Sequence, residues 1–160
     1  MINVILLSLF ILSISLSLGG GIYETLVIYP NWKHARGPAE LLQKLQSSGQ
    51  LNANKRFWPM VSPAQTLLVI VNIVLAARFT GQAHCVWLGA SIIIAGSRLI
   101  TFGYFIPVMI SKIMQPEKIE ASRLQRIVKW WTTLSPLRLI ADIASWGFAL
   151  WALMLMETGR

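Results

Sequence analysis

The sequence predicts an all-α fold, a four-helix transmembrane bundle with two amphipathic loop helices at the membrane interface. Hydrophobic residues fill 55% of the 160 positions and charged residues only 12%. The mean hydropathy of +0.60 lies outside the balance of a water-soluble domain. Four stretches approach the roughly 20 apolar residues that a span requires, and the cations between them are grouped rather than spread.

The spans fall at about 2–29, 60–77, 86–110 and 136–156, in one integral membrane domain covering the chain. The first opens with eighteen uncharged residues and runs on through "GGGIYETLVIYPNW". "SLSLGGG" resembles a signal-peptide cleavage region, but "MIN" carries no cation and the apolar run continues to Ile28, so an uncleaved span is expected. The second is the shortest and contains Asn72. It is retained because omitting it puts the basic loops on opposite sides of the bilayer.

Sidedness follows from the cations. Lys33, Arg36, Lys44, Lys55 and Arg56 lie in the first connection, and Lys112, Lys118, Arg123, Arg126 and Lys129 in the third. Short cytoplasmic loops are enriched in Lys and Arg. Both basic loops are therefore expected in the cytoplasm and both termini outside, in a multi-pass protein of a bacterial-type inner membrane. The same distribution accounts for the net charge of +8 without a nucleic-acid partner. The expected partner is the lipid bilayer, and a homo-oligomer is left open.

Each basic loop has a helical pattern. "GPAELLQKLQSSG" places Pro38 at a helix start, Glu40 in the first turn and Gly49 past the end, with Leu41, Leu42 and Leu45 on one face. "PEKIEASRLQRIVKWW" sets Ile119, Leu124, Ile127, Val128 and Trp131 against Arg123, Arg126 and Lys129, predicting a second interfacial helix. Tyr29, Trp32, Phe57, Trp58, Trp130 and Trp131 fit an interfacial aromatic belt.

Metal and cofactor motifs are lacking. Cys85 is the single cysteine, and His34 and His84 belong on opposite sides of the membrane. No Glu-x-x-His pair occurs on a span, so there is no basis for a zinc, di-iron or bis-histidine haem site. "GGG" lies inside a hydrophobic span rather than in a dinucleotide fingerprint.

The informative residues are those that are polar within the spans. Ionisable groups in a membrane are costly and usually face the bundle interior. Counting about 1.5 Å per residue from the cytoplasmic ends puts Glu24 roughly 9 Å, Asp142 roughly 10 Å and Tyr104 roughly 12 Å deep, with Arg98 and Asn72 at about 20 Å. Arg138 and Asp142 stand one turn apart, where they can pair. Ser13, Ser17, Gly20 and Glu24 share one face of the first helix, so Glu24 points at the other helices. Two readings of this polar interior compete: a network that fixes helix register, or a pocket for a small hydrophobic aromatic ligand. A proton or ion path is a third, but no repeat or broken-helix pair of the transporter kind is evident.

"GGGIYETLVIYPNW", "RFWPMVSPAQTLL", "RLITFGYFIPVMI" and "VKWWTTLSPLRLIADIASWGFALWAL" together resemble the anthrone oxygenase-like family of small four-span membrane proteins, a family catalogued as a domain of unknown function. The resemblance runs from about Leu18 to Leu153. It implies a four-helix bundle and, for some members, oxidation of polycyclic anthrones by O₂ without a metal or flavin. On that scheme Glu24 or Asp142 serves as base and Arg98 or Arg138 as oxyanion partner. Tyr23, Tyr104 and Trp146 stack on a planar ring, while Asn72 and Trp131 complete the ligand-binding set. Tyr23, Glu24, Pro30, Trp32, Trp131 and Arg138 match family positions. Ser135 departs from the pattern, standing where the family often has an Asn three residues before the arginine. The non-enzymatic alternative is a lipid- or quinone-binding protein or a partner subunit.

Overall fold

A computed structural model describes residues 1–158 of the chain. It is helical throughout, with no strand among those residues. The helices are α1 (Ile2–Lys33), α2 (Pro38–Ser47), α3 (Gln50–Arg78), α4 (His84–Ile113) and α5 (Ala121–Thr158). All but α2 are long and apolar enough to cross a membrane, and the protein is accordingly a multi-pass integral membrane protein. The spans form a ring in which α1 and α4 each pack between α3 and α5. Leu12, Leu67, Ile70, Leu99 and Ile140 are exposed around its outside, as a lipid-facing surface requires.

Two apolar clusters fill the bundle. At the loop-helix end, Trp32, Leu41, Leu45, Phe105, Ile113 and Trp131 pack together. At the far end, Leu7, Phe10, Ile14, Trp87, Ile94 and Ala149 do so. Leu41 and Leu45 dock α2 beneath the bundle, which fulfils the pattern of the first loop. The second predicted loop helix is not a separate element. Its residues from Ala121 onward are the first turns of the 38-residue α5, because nothing between Ala121 and Pro136 interrupts the backbone ladder. Similarly, α3 starts at Gln50, ahead of the apolar run, and continues through Pro59 and Pro63. Proline is tolerated within membrane helices when neighbouring groups satisfy the freed carbonyls.

Spans α1 and α4 are not uniformly wound. Glu24–Ile28 and Thr101–Phe105 are π turns, each followed two positions later by a proline, Pro30 or Pro107. Proline lacks an N–H and its ring crowds the carbonyl four residues back. A widened turn relieves that crowding, and such π-bulges are common at functional sites. A third π turn, Met109–Ile113, closes α4.

Candidate functional site

Glu24 begins the π turn of α1 and is 7% exposed. Its Oε2 accepts a hydrogen bond from the Tyr29 hydroxyl at 2.7 Å. The widened turn carries residue 29 back over residue 24: the Tyr29 N–H donates to the Glu24 carbonyl. Glu24 Oε1 accepts from Gln50 Nε2 and from Trp58 Nε1, both at 2.7 Å. Gly20, one turn earlier, makes room for Trp58. A Cβ there would meet the Trp58 ring at 3.2 Å and Phe57 at 3.1 Å. The acid is therefore stabilised by three neutral donors, two of them from α3. A carboxylate offers about four lone-pair positions, so little of its accepting capacity is left.

The second charged group lies between α4 and α5. Arg98 Nη2 stands 3.9 Å from Asp142 Oδ2, and the Ser97 hydroxyl donates to Asp142 Oδ1 at 3.0 Å. Arg98 and Asp142 are 4% and 3% exposed. The pairing expected between Arg138 and Asp142 gives way to this inter-helix pair. Arg138 instead places its guanidinium 4.4 Å over the Phe105 ring, a cation–π contact. Phe105 in turn meets Trp131 edge-on, with centroids 4.7 Å apart.

These groups meet at a cleft of about 260 Å³ between α3 and α4. Glu24, Arg98, Thr101, Arg138 and Trp131 form its inner wall, and Pro59, Ser62, Pro63, Phe102, Ile106 and Ile110 its sides. Pro59, Pro63, Phe102 and Ile110 are exposed on the outer surface of the bundle. Two donor atoms on cleft-lining residues, Arg98 Nε and Trp131 Nε1, are closed off by their neighbours and have no hydrogen-bond partner among the described residues. Buried polar atoms are ordinarily paired.

Of the residues singled out from sequence, Glu24, Arg98, Arg138 and Trp131 line this one cleft. Asp142 stands behind Arg98. The remaining four do not line it. Tyr23 is 54% exposed on the outside of α1, since the residue before Glu24 points about 100° away from it. Asn72 belongs to the far half: its Oδ1 accepts from Trp87 Nε1 at 2.9 Å, and its Nδ2 donates to the Leu68 and Leu6 carbonyls at 2.8 and 3.4 Å. Trp146 lies at the surface, where its Nε1 donates to Ser15 Oγ at 2.9 Å. Tyr104 packs edge-on against Phe105 from outside. Sequence reasoning missed Gln50 and Trp58 as partners of Glu24. Their spacing of eight residues puts them on one helix face, but one reads as a loop residue and the other as part of the aromatic belt.

No known protein family, curated protein or solved structure matches this chain.

Proposed function

We propose that the cleft between α3 and α4 binds a small, planar, mostly apolar molecule carrying an acceptor oxygen, and that the site supports cofactor-independent oxygenation of a phenolic or quinone-like compound. The observation that carries the binding reading is the cleft itself, an apolar mouth leading to the side chains of Glu24, Arg98 and Arg138 on its inner wall. Sites for small ligands commonly combine apolar walls with a few convergent polar groups. Phe102, Phe105 and Trp131 offer ring faces and edges to a planar body.

The oxygenase step is supported by resemblance to the anthrone oxygenase-like family. It converts an activated ring CH₂ and O₂ to a C=O and water. A base removes the first proton, the carbanion is oxidised by O₂, and donors stabilise the oxyanion that forms. Glu24 suits the base better than Asp142, because it lines the cleft and Asp142 stands behind Arg98. Arg98 and Arg138 suit the oxyanion. The competing reading is structural, and the three bonds that tie Glu24 to α3 and to Tyr29 favour it.

Oxygen uptake by the protein in lipid nanodiscs with 9-anthrone as probe separates the two readings. Uptake above empty nanodiscs, abolished in Glu24→Gln at an unchanged thermal midpoint, is the result expected of an oxygenase. Uptake equal to empty nanodiscs overturns the oxygenase step. We also place both basic connections in the cytoplasm. Cys85, exposed at the far end of the bundle, should then be labelled in intact cells by a membrane-impermeant maleimide, and labelling only after lysis would reverse the orientation.

A further inference from the structure

The two halves of the bundle repeat one another. Pro30 and Pro107, Pro59 and Pro136, and the π turns beginning at Glu24 and Thr101 are each 77 positions apart. Burial follows the same offset: Phe10 and Trp87, Ser13 and Ala90, Ile14 and Ser91, Ser17 and Ile94, and Ile28 and Phe105 are buried in both members of each pair. The ring order of the spans fits a pseudo-two-fold axis along the bundle that exchanges α1 with α4 and α3 with α5. That axis makes the α5–α1 seam the counterpart of the α3–α4 seam.

The two seams differ in the space they enclose. Between α5 and α1 only about 10 Å³ is left, lined by Gly21, Tyr29, Ser135, Leu139 and Asp142 among others. Leu139 fills the seam, standing 3.3 Å from where a Cβ on Gly21 would lie. The equivalent positions in the α3–α4 seam hold Ser62 for Leu139 and Arg98 for Gly21. Both seams carry the matched prolines and one π turn, and the α3–α4 seam adds Pro63, where α5 has Ile140, and the π turn Met109–Ile113. Where Leu139 meets Gly21 in the closed seam, the open one sets a small residue on α3 against a long polar one on α4.

We propose that the α3–α4 seam is a lateral gateway from the bilayer, held open by Ser62, for a neutral aromatic molecule with a hydroxyl or carbonyl oxygen. This rests on the ligand-binding reading above and adds the route and the charge of the ligand. The mouth is apolar and faces lipid through Pro63, Phe102 and Ile110. Behind it, Glu24 and Asp142 balance Arg98 and Arg138, giving a formally neutral site. Bringing an anion into such a site costs desolvation without a spare cation to offset it. A neutral oxygen, by contrast, brings no such cost, and the guanidinium groups on the inner wall are donors for it.

The test measures binding of 2-naphthol, naphthalene and 2-naphthoate to the protein in nanodiscs by equilibrium dialysis against empty nanodiscs. The wild type should retain 2-naphthol above both comparators. Ser62→Leu copies the side chain already accommodated at position 139. It should weaken 2-naphthol binding by about tenfold or more, the size of the overpacking the ligand would then meet, with no fall in thermal midpoint. Phe102→Trp narrows the mouth at an exposed position and should slow 2-naphthol uptake even if Ser62→Leu folds poorly. Unchanged binding and uptake in both variants overturns the gateway. A preference for 2-naphthoate overturns the neutral ligand and leaves the ligand-binding reading standing. Retention of none of the probes by the wild type overturns that reading and the gateway with it.

Discussion

In the far half of the bundle, Asn72 ties Trp87 to α3 and reaches the α1 backbone, His84 bonds the Ala76 carbonyl at 2.7 Å, and Ser145 bonds the Ala90 carbonyl at 2.8 Å. In the loop-helix half, Glu24 accepts three donors, while Arg98 and Trp131 each keep one donor unpaired beside an open cleft. Neutral groups in the far half bridge neighbouring helices, and Ala149 and Ala152 pack around them. Interhelical hydrogen bonds and small residues are the usual means of joining helices in lipid, where apolar burial between helices gains little. The loop-helix half uses ionisable groups, which are costlier to bury than neutral ones, and it keeps a cleft open beside them. The first arrangement is what helix association alone calls for, and the second adds an open cleft to it.

That contrast sets an order of mutational effects. The largest belongs to Trp87, fully buried with its Nε1 paired. Trp87→Ala should cost about 3–5 kcal/mol through the cavity it leaves, read as the shift of the unfolding midpoint in mixed micelles. A loss no larger than that of a surface substitution would mean that the far half does not carry the stability assigned to it. Glu24→Ala comes next, since it leaves three donors without their acceptor and should cost about 1–3 kcal/mol. Glu24→Gln should cost clearly less. Its amide oxygen still accepts from Gln50 and Trp58, and its NH₂ donates to the Tyr29 hydroxyl, which accepts as readily as it donates. Equal losses in the two variants would show that the charge itself holds this half together, against the division drawn above.

The four spans were legible because little except a membrane crossing calls for an apolar run of bilayer length. Their ends were not, because a helix stops where its backbone ladder stops and not where its hydropathy falls. Asp142 shows the consequence. Its depth of roughly 10 Å follows from a fourth span that opens at about 136, but α5 runs back to Ala121. That count sets Asp142 well apart from Arg98, at about 20 Å, although the two pair. Within the site, Glu24, Arg98 and Arg138 stood out because charge among apolar residues is rare. Tyr23 and Tyr104 failed on azimuth, which sequence spacing gives poorly where π turns re-aim a helix. The α1/α4 correspondence was hidden for a similar reason. It lies in prolines and burial, while the side chains at matched positions, such as Ser17 and Ile94, have diverged.

The smallest expected effect is confined to the surface of the loop-helix half and shows whether α2 is coupled to the cleft. Glu40 Oε2 accepts from the Arg36 N–H at 2.8 Å, and Glu40 Oε1 pairs with Lys44 at 2.9 Å. First the Arg36 amide and then Lys44 hold this carboxyl below the usual range. A depressed folded pKa means that the contribution of Glu40 is present above its unfolded pKa and is lost as pH falls through the folded value. The Arg36 amide resonance should therefore titrate with an inflection below that of an ordinary glutamate, and the inflection should vanish in Glu40→Gln. The Trp87 and Trp58 indole resonances should not follow it, because Glu40 is solvent-screened and its ion pair is of the exposed kind that contributes little. A Trp58 resonance that moved with the Arg36 amide would tie the loop helix to the carboxylate network, and the boundary of that network would then have to include α2.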